Sequence, residues 1–379
     1  MVHNSRMKRA QLDIICKDLQ KKMVFIIGPR QVGKTWLARK IAENFNSTAY
    51  LNYDSRQDRE IILNENWLPD TDLLILDELH KMPDWKNYIK GVYDTKPRNL
   101  KILVTGSARL NVYKNLGDSL AGRFFAHRLL PFSPAELTKI KQVMDLDHLL
   151  ARGGFPEPFL AEEDVDADRW RMQYIDDLIR TDVLDFENIN NLKALQLTLE
   201  LLRERVGSPV SFKSIAEDIG VSPNTIKKYI QIFEALYIVF KVTPYHKNIA
   251  RSLLKEPKIY FYDVGMVKGA EAARFENLIA VSLLKYVYAK IDIMAEHYAL
   301  HYLRTKDGRE VDFALVKDGQ IAQLIEAKLT NNSLSKDLYF FVKKYNLPAV
   351  QLVKNLKNAC VKEGVEIKHA RKYLCDLMM

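Results

Sequence analysis

The sequence predicts an α/β protein of several domains, and three observations predict it. Apolar strand segments and helical patterns alternate up to about residue 130, the order that lays helices over a parallel sheet. A glycine-rich stretch, GPRQVGKT at 28–35, separates the first strand from the first helix. A strand–turn–strand segment at 309–328 carries acidic and basic side chains on an apolar background. At 379 residues the chain has room for about two to four domains.

The first region reads as strands at 23–27, 48–52, 72–77, 101–105 and 124–128, with helices at 34–45, 56–65 and 84–94. The stretch 28–35 fits G-x-x-x-x-G-K-[ST], with a strand before it and a helix after it. Gly28 and Gly33 permit the tight path that aims backbone N–H groups at phosphate oxygens. Lys34 would reach the β- and γ-phosphates, Thr35 would hold Mg²⁺, and the helix N-terminus adds positive potential. The expected nucleotide-binding set is Gly28, Pro29, Arg30, Gln31, Val32, Gly33, Lys34, Thr35 and Trp36, for ATP or GTP with Mg²⁺. A glycine turn matching by chance is the bland alternative, and the flanking strand and helix weigh against it. The run Leu73–Asp77 then Glu78 is a buried strand ending in two carboxylates. Asp77 would hold the metal, and Glu78 would orient or deprotonate the attacking water. After the strand at 101–105, Ser107, with Thr105 second, is placed to position that water; a plain helix cap is the alternative for Ser107.

Composition narrows the class. Hydrophobic residues make up 47%, as in ordinary globular proteins. Net charge is +9, from 57 Lys and Arg against 48 Asp and Glu, which makes nucleic acid the leading partner class. Cys16, Cys360 and Cys375 form no metal or redox spacing, which suits a reducing cytoplasm. Residues 1–22 are charged throughout and lack an apolar signal core, and no apolar run is long enough to span a membrane. A cytoplasmic protein without a membrane partner is expected.

Residues 135–206 read as helical, with Leu178, Ile179, Leu195, Leu197, Leu199, Leu201 and Leu202 as core positions. Next, Ser211 caps one helix, Gly220-Val221-Ser222 turns the chain, and Pro223 opens a second helix carrying Thr225, Lys227 and Lys228. Strands at 237–242 and 258–262 complete a winged helix-turn-helix, which either contacts DNA or connects domains.

In the last region Arg309–Val316 and Ile321–Lys328 flank a turn containing Asp318-Gly319. Glu326 and Lys328 share one face of their strand. Asp312 joins that face if the loop has an odd residue count and lies opposite if the turn has two residues. The odd count is expected, because it gathers Val311, Phe313, Leu315, Ile321 and Ile325 on one buried face. Asp312, Glu326 and Lys328 would then converge, with Glu276 reaching in from an apolar helix over 278–288. Such a set binds Mg²⁺ or Mn²⁺ and activates water against a phosphodiester, with Lys328 positioning the nucleophile or stabilising the charge that develops. A solvated strand ion pair is the bland alternative. Residues 331–372 hold nine Lys and Arg against three acids, a net +6, interleaved with Tyr339, Phe340, Phe341 and Tyr345; these basic residues can track phosphates or face solvent.

The chain resembles the AAA+ class of ATPases, in particular bacterial and archaeal ATPases with a C-terminal domain of unknown function (DUF4143 type). GPRQVGKT, LLILDEL, LVTGSARL, SLAGRFFAHRLLPFSPAEL at 119–137 and GGFPE at 153–157 carry the resemblance, which covers essentially the whole chain. The C-terminal segment is similar to the PD-(D/E)xK nuclease core, with Val311 where proline is expected and the E-x-K half intact. The resemblance implies an AAA+ P-loop core at 1–134, a helical lid at 135–206, the winged helix-turn-helix at 207–262 and an α/β restriction-endonuclease-like domain at 263–379. It also implies a homo-oligomeric, hexameric ring completed by an arginine from the neighbouring subunit. Arg123 is the first candidate for that finger, with Arg109 and Arg128 as rivals, and Arg152 is a candidate lid arginine. Ser107 stands where asparagine is more usual, which leaves its water-positioning role open. The expected function is ATP-driven processing or remodelling of DNA, branched DNA included, with endonuclease activity as an accessory. An ATP-dependent switch or scaffold that recognises a protein partner, its nuclease-like domain inactive, is the alternative.

Overall fold

In the computed structural model, residues 9–106, 120–140, 145–183, 191–246, 256–330 and 333–379 are described, apart from the side chains of 181–183. The chain divides into two units, Met1–Leu130 and Pro131–Met379.

The first unit opens with α1 (Leu12–Leu19) and continues β1 (Met23–Ile27), α2 (Lys34–Ala42), β2 (Thr48–Asn52), α3 (Arg56–Asn64), β3 (Leu73–Asp77), α4 (Trp85–Thr95), β4 (Lys101–Gly106) and β5 (Phe124–Arg128). These strands fall within a residue of the predicted ones, because each is built round a short apolar stretch flanked by polar or glycine residues. All five lie parallel in the order β2-β3-β4-β1-β5. β1 and β3 are buried along their whole length, as unbroken apolar strands under helices must be. The register sets Ile27 beside Gly106 and Asp77 beside Thr105, so β1, β3 and β4 end together at the carboxyl edge, where open α/β sheets bind ligands.

The second unit begins with helices α5 (Pro134–Lys139), α6 (Leu146–Arg152), α7 (Pro156–Leu160), α8 (Asp164–Asp177) and α9 (Leu192–Glu204). Leu195, Leu199 and Leu202 form the buried stripe of α9 at helical spacing. Leu197 and Leu201 do not join it: Leu197 is exposed and Leu201 half-exposed, because the same periodicity turns them away. α10 (Phe212–Ile219) and α11 (Pro223–Ala235) follow, capped by Ser211 and Ser222. Gly220 between them holds φ at 77°, the left-handed helix ending that glycine permits. β6 (Val239–Pro244) and β7 (Lys258–Phe261) then pair antiparallel.

That hairpin does not stand alone. β6 also pairs with β8 (Tyr298–Arg304), which extends a mixed sheet through β9 (Glu310–Lys317), β10 (Gln320–Lys328), β11 (Ala349–Val353), β12 (Cys360–Lys362) and β13 (Val365–His369). The eight strands run β12-β13-β11-β10-β9-β8-β6-β7. α12 (Glu271–Met294), of 24 residues, lies against the sheet, and its Lys285 makes a buried ion pair with Glu136 of α5. α13 (Lys336–Tyr345) and α14 (Ala370–Cys375) complete the unit.

Candidate functional sites

The loop after β1 is held from beneath by its own backbone contacts. A Cβ at Gly28 would lie 2.0 Å from the Leu129 carbonyl oxygen, so only glycine fits there. Gly33 caps α2 with φ at 96°. Arg9, ahead of α1, donates to the carbonyl oxygens of Val32 (2.8 Å) and Leu130 (2.5 Å) and so ties the loop to the segment after β5. Sequence reading missed this arginine, since nothing local to it signals a loop far along the chain. Lys34 Nζ donates to the carbonyls of Gly28 (3.0 Å) and Pro29 (2.6 Å), which stations its charge over the loop.

Asp77 is the hub of this site. Thr35 Oγ1 (2.9 Å) and the Tyr50 hydroxyl (2.5 Å) donate to its Oδ2. The Thr105 hydroxyl and the Glu78 N–H (3.1 Å) serve Oδ1. Four donors on a buried carboxylate fix its orientation. Thr35 and Asp77 therefore face the same point, as Mg²⁺ held directly or through water needs. The donor set fits that ion: a hydroxyl and a carboxylate, both hard oxygen ligands, at the mouth of a phosphate loop. Tyr50 was also missed. It reaches Asp77 from the neighbouring strand, a contact that only the sheet order creates. Burial, then the bond to Asp77, pushes its phenol above the ordinary range.

Glu78 sits one residue past β3 with φ at 55°, its N–H also bonded to the Thr105 carbonyl oxygen. Its side chain faces His80 Nε2 (3.5 Å) and Lys81 Nζ (3.8 Å). Burial raises its pKa against the opposing pull of Lys34 and Lys81, the direction a general base for water requires. Ser107 and Arg109 lie outside the described residues. Arg123 makes a two-pronged pair with Asp94 of α4, at 2.8 and 3.0 Å. Arg152 is buried and bonded to Asp164 (2.6 Å) and to the carbonyl oxygens of Ala161 and Glu162.

On the second unit's sheet, the route by which Asp312 reaches the Glu326 face differs from the one expected. The turn has two residues, Asp318 and Gly319, both at positive φ, and Lys317 pairs with Gln320. That register alone would send Asp312 to the opposite face. A bulge between Ile321 and Gln323 supplies the missing residue and carries Ile325 opposite Phe313, hence Glu326 opposite Asp312. The single apolar face that motivated the odd count does not form. Ile321, on the turn side of the bulge, pairs with Val316 and packs against the cluster of Ala314 and Leu324. Val311 belongs to that cluster too, since a second register shift, between His301 and Leu303 on β8, falls opposite Asp312 and Phe313.

The expected metal ligands are drawn to a cation of the chain instead. Lys258 of β7, wholly buried, places its Nζ 3.2 Å from Glu276, 2.7 Å from Glu310 and 3.5 Å from Asp312. Glu276 also accepts from the Tyr260 hydroxyl (2.6 Å), Asp312 from the Ala327 N–H (2.9 Å) and Glu310 from Arg304 (3.3 Å). Glu326 pairs with Lys328 (2.8 Å) and accepts from the Ser335 hydroxyl (3.0 Å), while its Oε2 is buried with no hydrogen-bond partner. Burial, then repulsion from Asp312, raises both Glu276 and Glu326 to about 7. Burial pulls the Lys258 ammonium down, but Glu276, Asp312 and Glu310 outweigh it and hold it above its ordinary range. Glu276, Asp312 and Glu326 thus share a neighbourhood without forming an open ligand set. Among the described residues, no group of three or more acidic, histidine or cysteine side chains is arranged to hold a metal. Lys258, Tyr260, Glu310 and Ser335 were not read as site residues, because each is ordinary in its local sequence.

Lys227 and Lys228 are exposed on α11, and Thr225 shares a hydrogen bond with Ser222. Arg309, just before β9, lies 4.5 Å from the centre of the Phe340 ring of α13, and Lys344 of that helix lies 5.2 Å from the rings of Phe340 and Tyr345. Phe341 is core, whereas Tyr345 is exposed. None of the described helices is long and apolar enough to cross a membrane.

The strand order, the phosphate loop and the Asp77–Glu78 edge define a P-loop ATPase domain. Residues 20–138 match the AAA domain family, residues 143–276 a domain of unknown function, DUF8612, and residues 272–373 a further one, DUF4143. The chain is 24% identical over 307 residues to the uncharacterized protein Rv2008c of Mycobacterium tuberculosis, covering 79% of this chain and 68% of that one. It is 24% identical over 361 residues to the uncharacterized protein MJ1544 of Methanocaldococcus jannaschii, covering 86% and 78%. Similar solved structures include the Walker-type ATPase PABY2304 of Pyrococcus abyssi (TM-score 0.46, 12% identity, 69% of this chain and 94% of that one). Another is the Aeropyrum pernix ORC1 protein in complex with DNA (TM-score 0.35, 14% identity, 74% and 94%). Scores of this size carry no functional weight.

Proposed function

We propose that this chain hydrolyses ATP at the Lys34–Thr35–Asp77–Glu78 site and uses the cycle to bind and remodel DNA, acting as a ring of identical subunits. The observation that carries the ATPase half is the convergence of Thr35, Tyr50 and Thr105 on the single carboxylate of Asp77, beside Glu78. Lys34 neutralises the phosphates, Asp77 with Thr35 holds Mg²⁺, and Glu78 takes the proton of the attacking water. Arg123 is the proposed finger for the neighbouring subunit, and it would have to leave Asp94 to act. Three features support DNA as the partner: the net charge of +9, the capped helix pair α10–α11 with its exposed lysines, and the cation–aromatic surface on α13. The restriction-endonuclease-like segment from 263 onward serves in this reading as a holding module. The test is Mg²⁺-dependent ATPase measured with and without linear and four-way DNA. Stimulation by DNA supports the reading. An unchanged rate, together with no DNA binding at low salt, sinks it.

A second reading, an ATP-dependent switch that recognises a protein partner through an inactive nuclease-like domain, is favoured by the lysine inside the carboxylate cluster. It predicts ATP-dependent assembly that Asp312→Ala and Lys328→Ala leave intact.

A further inference from the structure

We infer that Lys258 takes the place of a divalent cation among Glu276, Glu310 and Asp312, so that the C-terminal sheet keeps its counter-charge within the chain and does not cleave DNA by metal-assisted hydrolysis. Choosing a divalent ion as the displaced occupant rests on the nuclease-like reading of β9 and β10; the lysine contacts stand without it.

Three carboxylates only 17–23% exposed, gathered round a wholly buried position, require a positive partner, since poorly solvated charge of one sign is costly. A metal ion would meet that need with oxygen ligands in a nearly fixed geometry, about six of them for Mg²⁺. Here most of the oxygens already have partners. Glu276 Oε1 serves Lys258 and Tyr260, and its Oε2 packs against the backbone of Gly207, where a Cβ would come within 2.7 Å. Glu310 divides its oxygens between Lys258 and Arg304. Asp312 gives one oxygen to Lys258 and the other to the Ala327 N–H. Two carboxylate oxygens remain without a donor, Glu276 Oε2 against Gly207 and the buried Glu326 Oε2, far short of the about six ligands that Mg²⁺ takes.

The lysine is fixed as firmly as its partners. Its backbone is paired with Val242 of β6 and bridged to Pro209, and its ammonium also lies 5.5 Å from the Tyr302 ring. An ammonium is a compact point charge with three donors, matched in number by the three carboxylates around it. Lys258 enters from the hairpin that follows α10–α11, whereas Glu276 sits on α12 and Glu310 and Asp312 on β9. The same ion cluster therefore fastens the winged hairpin to the α12–β9 layer. This gives the carboxylates a structural reason to persist without cleavage.

The test is Mn²⁺ uptake by the full chain without nucleotide, followed by electron paramagnetic resonance in wild type, Asp312→Asn, Lys258→Ala and the double variant. Wild type is expected to show no uptake that Asp312→Asn removes. Lys258→Ala, with β9 and β10 still protected in hydrogen exchange, is expected to gain Asp312-dependent uptake at least about tenfold stronger. Wild-type uptake abolished by Asp312→Asn would overturn the inference, and so would a folded Lys258→Ala protein that gains none. If Lys258→Ala does not fold, the wild-type and Asp312→Asn pair still decides. A failure of DNA-stimulated ATPase would remove the DNA reading and leave this result untouched.

Discussion

Replacing Glu326 by glutamine should make the C-terminal sheet more stable above neutral pH, even though an ion pair is lost. Glu326 is 4% exposed, and its Oε2 has no hydrogen-bond partner, so its charged form is held in a poorly solvating place. Its pKa rises from the ordinary 4.5 to about 7. An acid whose folded-state pKa is raised binds its proton more tightly in the fold than in the unfolded chain. Its cost to stability is absent below the unfolded value, grows as pH climbs from about 4.5 to about 7, and is complete above that. The rise corresponds to about 3 kcal/mol at most. Against it stands the lost pair with Lys328, whose side chain is 43% exposed and whose contribution is about 0–1 kcal/mol. The net expectation is a gain of up to about 2–3 kcal/mol near pH 8, shrinking to none below about pH 4. Hydrogen exchange of peptides from β9 to β11, corrected for intrinsic rates, reads this as a gain in protection of roughly tenfold or more at the higher pH. A Glu326→Gln protein less protected than wild type near pH 8 would show that the ion pair outweighs burial, and the reasoning would fail.

The remaining predictions concern the ATP site. Lys34→Ala should lower ATP turnover by at least about a hundredfold, measured as phosphate release under saturating MgATP. Tyr50→Phe removes one donor from the Asp77 carboxylate, a bond of about 1.5–3 kcal/mol, and should raise the Mg²⁺ concentration needed for half-maximal ATPase by tenfold or more. Because Glu78 must be ionised to accept a proton and its pKa is raised, kcat should fall as pH drops through that raised value; Glu78→Gln should abolish turnover while fluorescent ATP analogue binding persists. Arg123→Ala should abolish ATPase in assembled protein while Asp94→Ala preserves it, and equal losses in both would make the pair structural.

Much of the first unit was legible because its signals are local. An apolar strand, a glycine at a positive φ and a lysine at a helix start each act within a few residues, and the loop at 28–35 and the edge at Asp77–Glu78 lie where those signals place them. The helix pair α10–α11 was legible for the same reason, through Ser211, Gly220, Ser222 and Pro223. The leucine stripe of α9 was overcounted, since composition marks Leu197 as apolar and only the helix phase sends it outward.

By itself the sequence determined where the glycine-rich loop and the acidic strand end fall, since backbone conformation and apolar period are set by neighbouring residues. Tertiary structure decided which distant groups meet. Strand order brought Tyr50 to Asp77, and Arg9 crossed to the phosphate loop. A one-residue bulge turned Asp312 to the face of Glu326, and a lysine from β7 came to rest among carboxylates contributed by α12 and β9. A strand's side-chain period is two, so one inserted residue reverses a face. Contacts made across a sheet also leave no mark in the local run of residues.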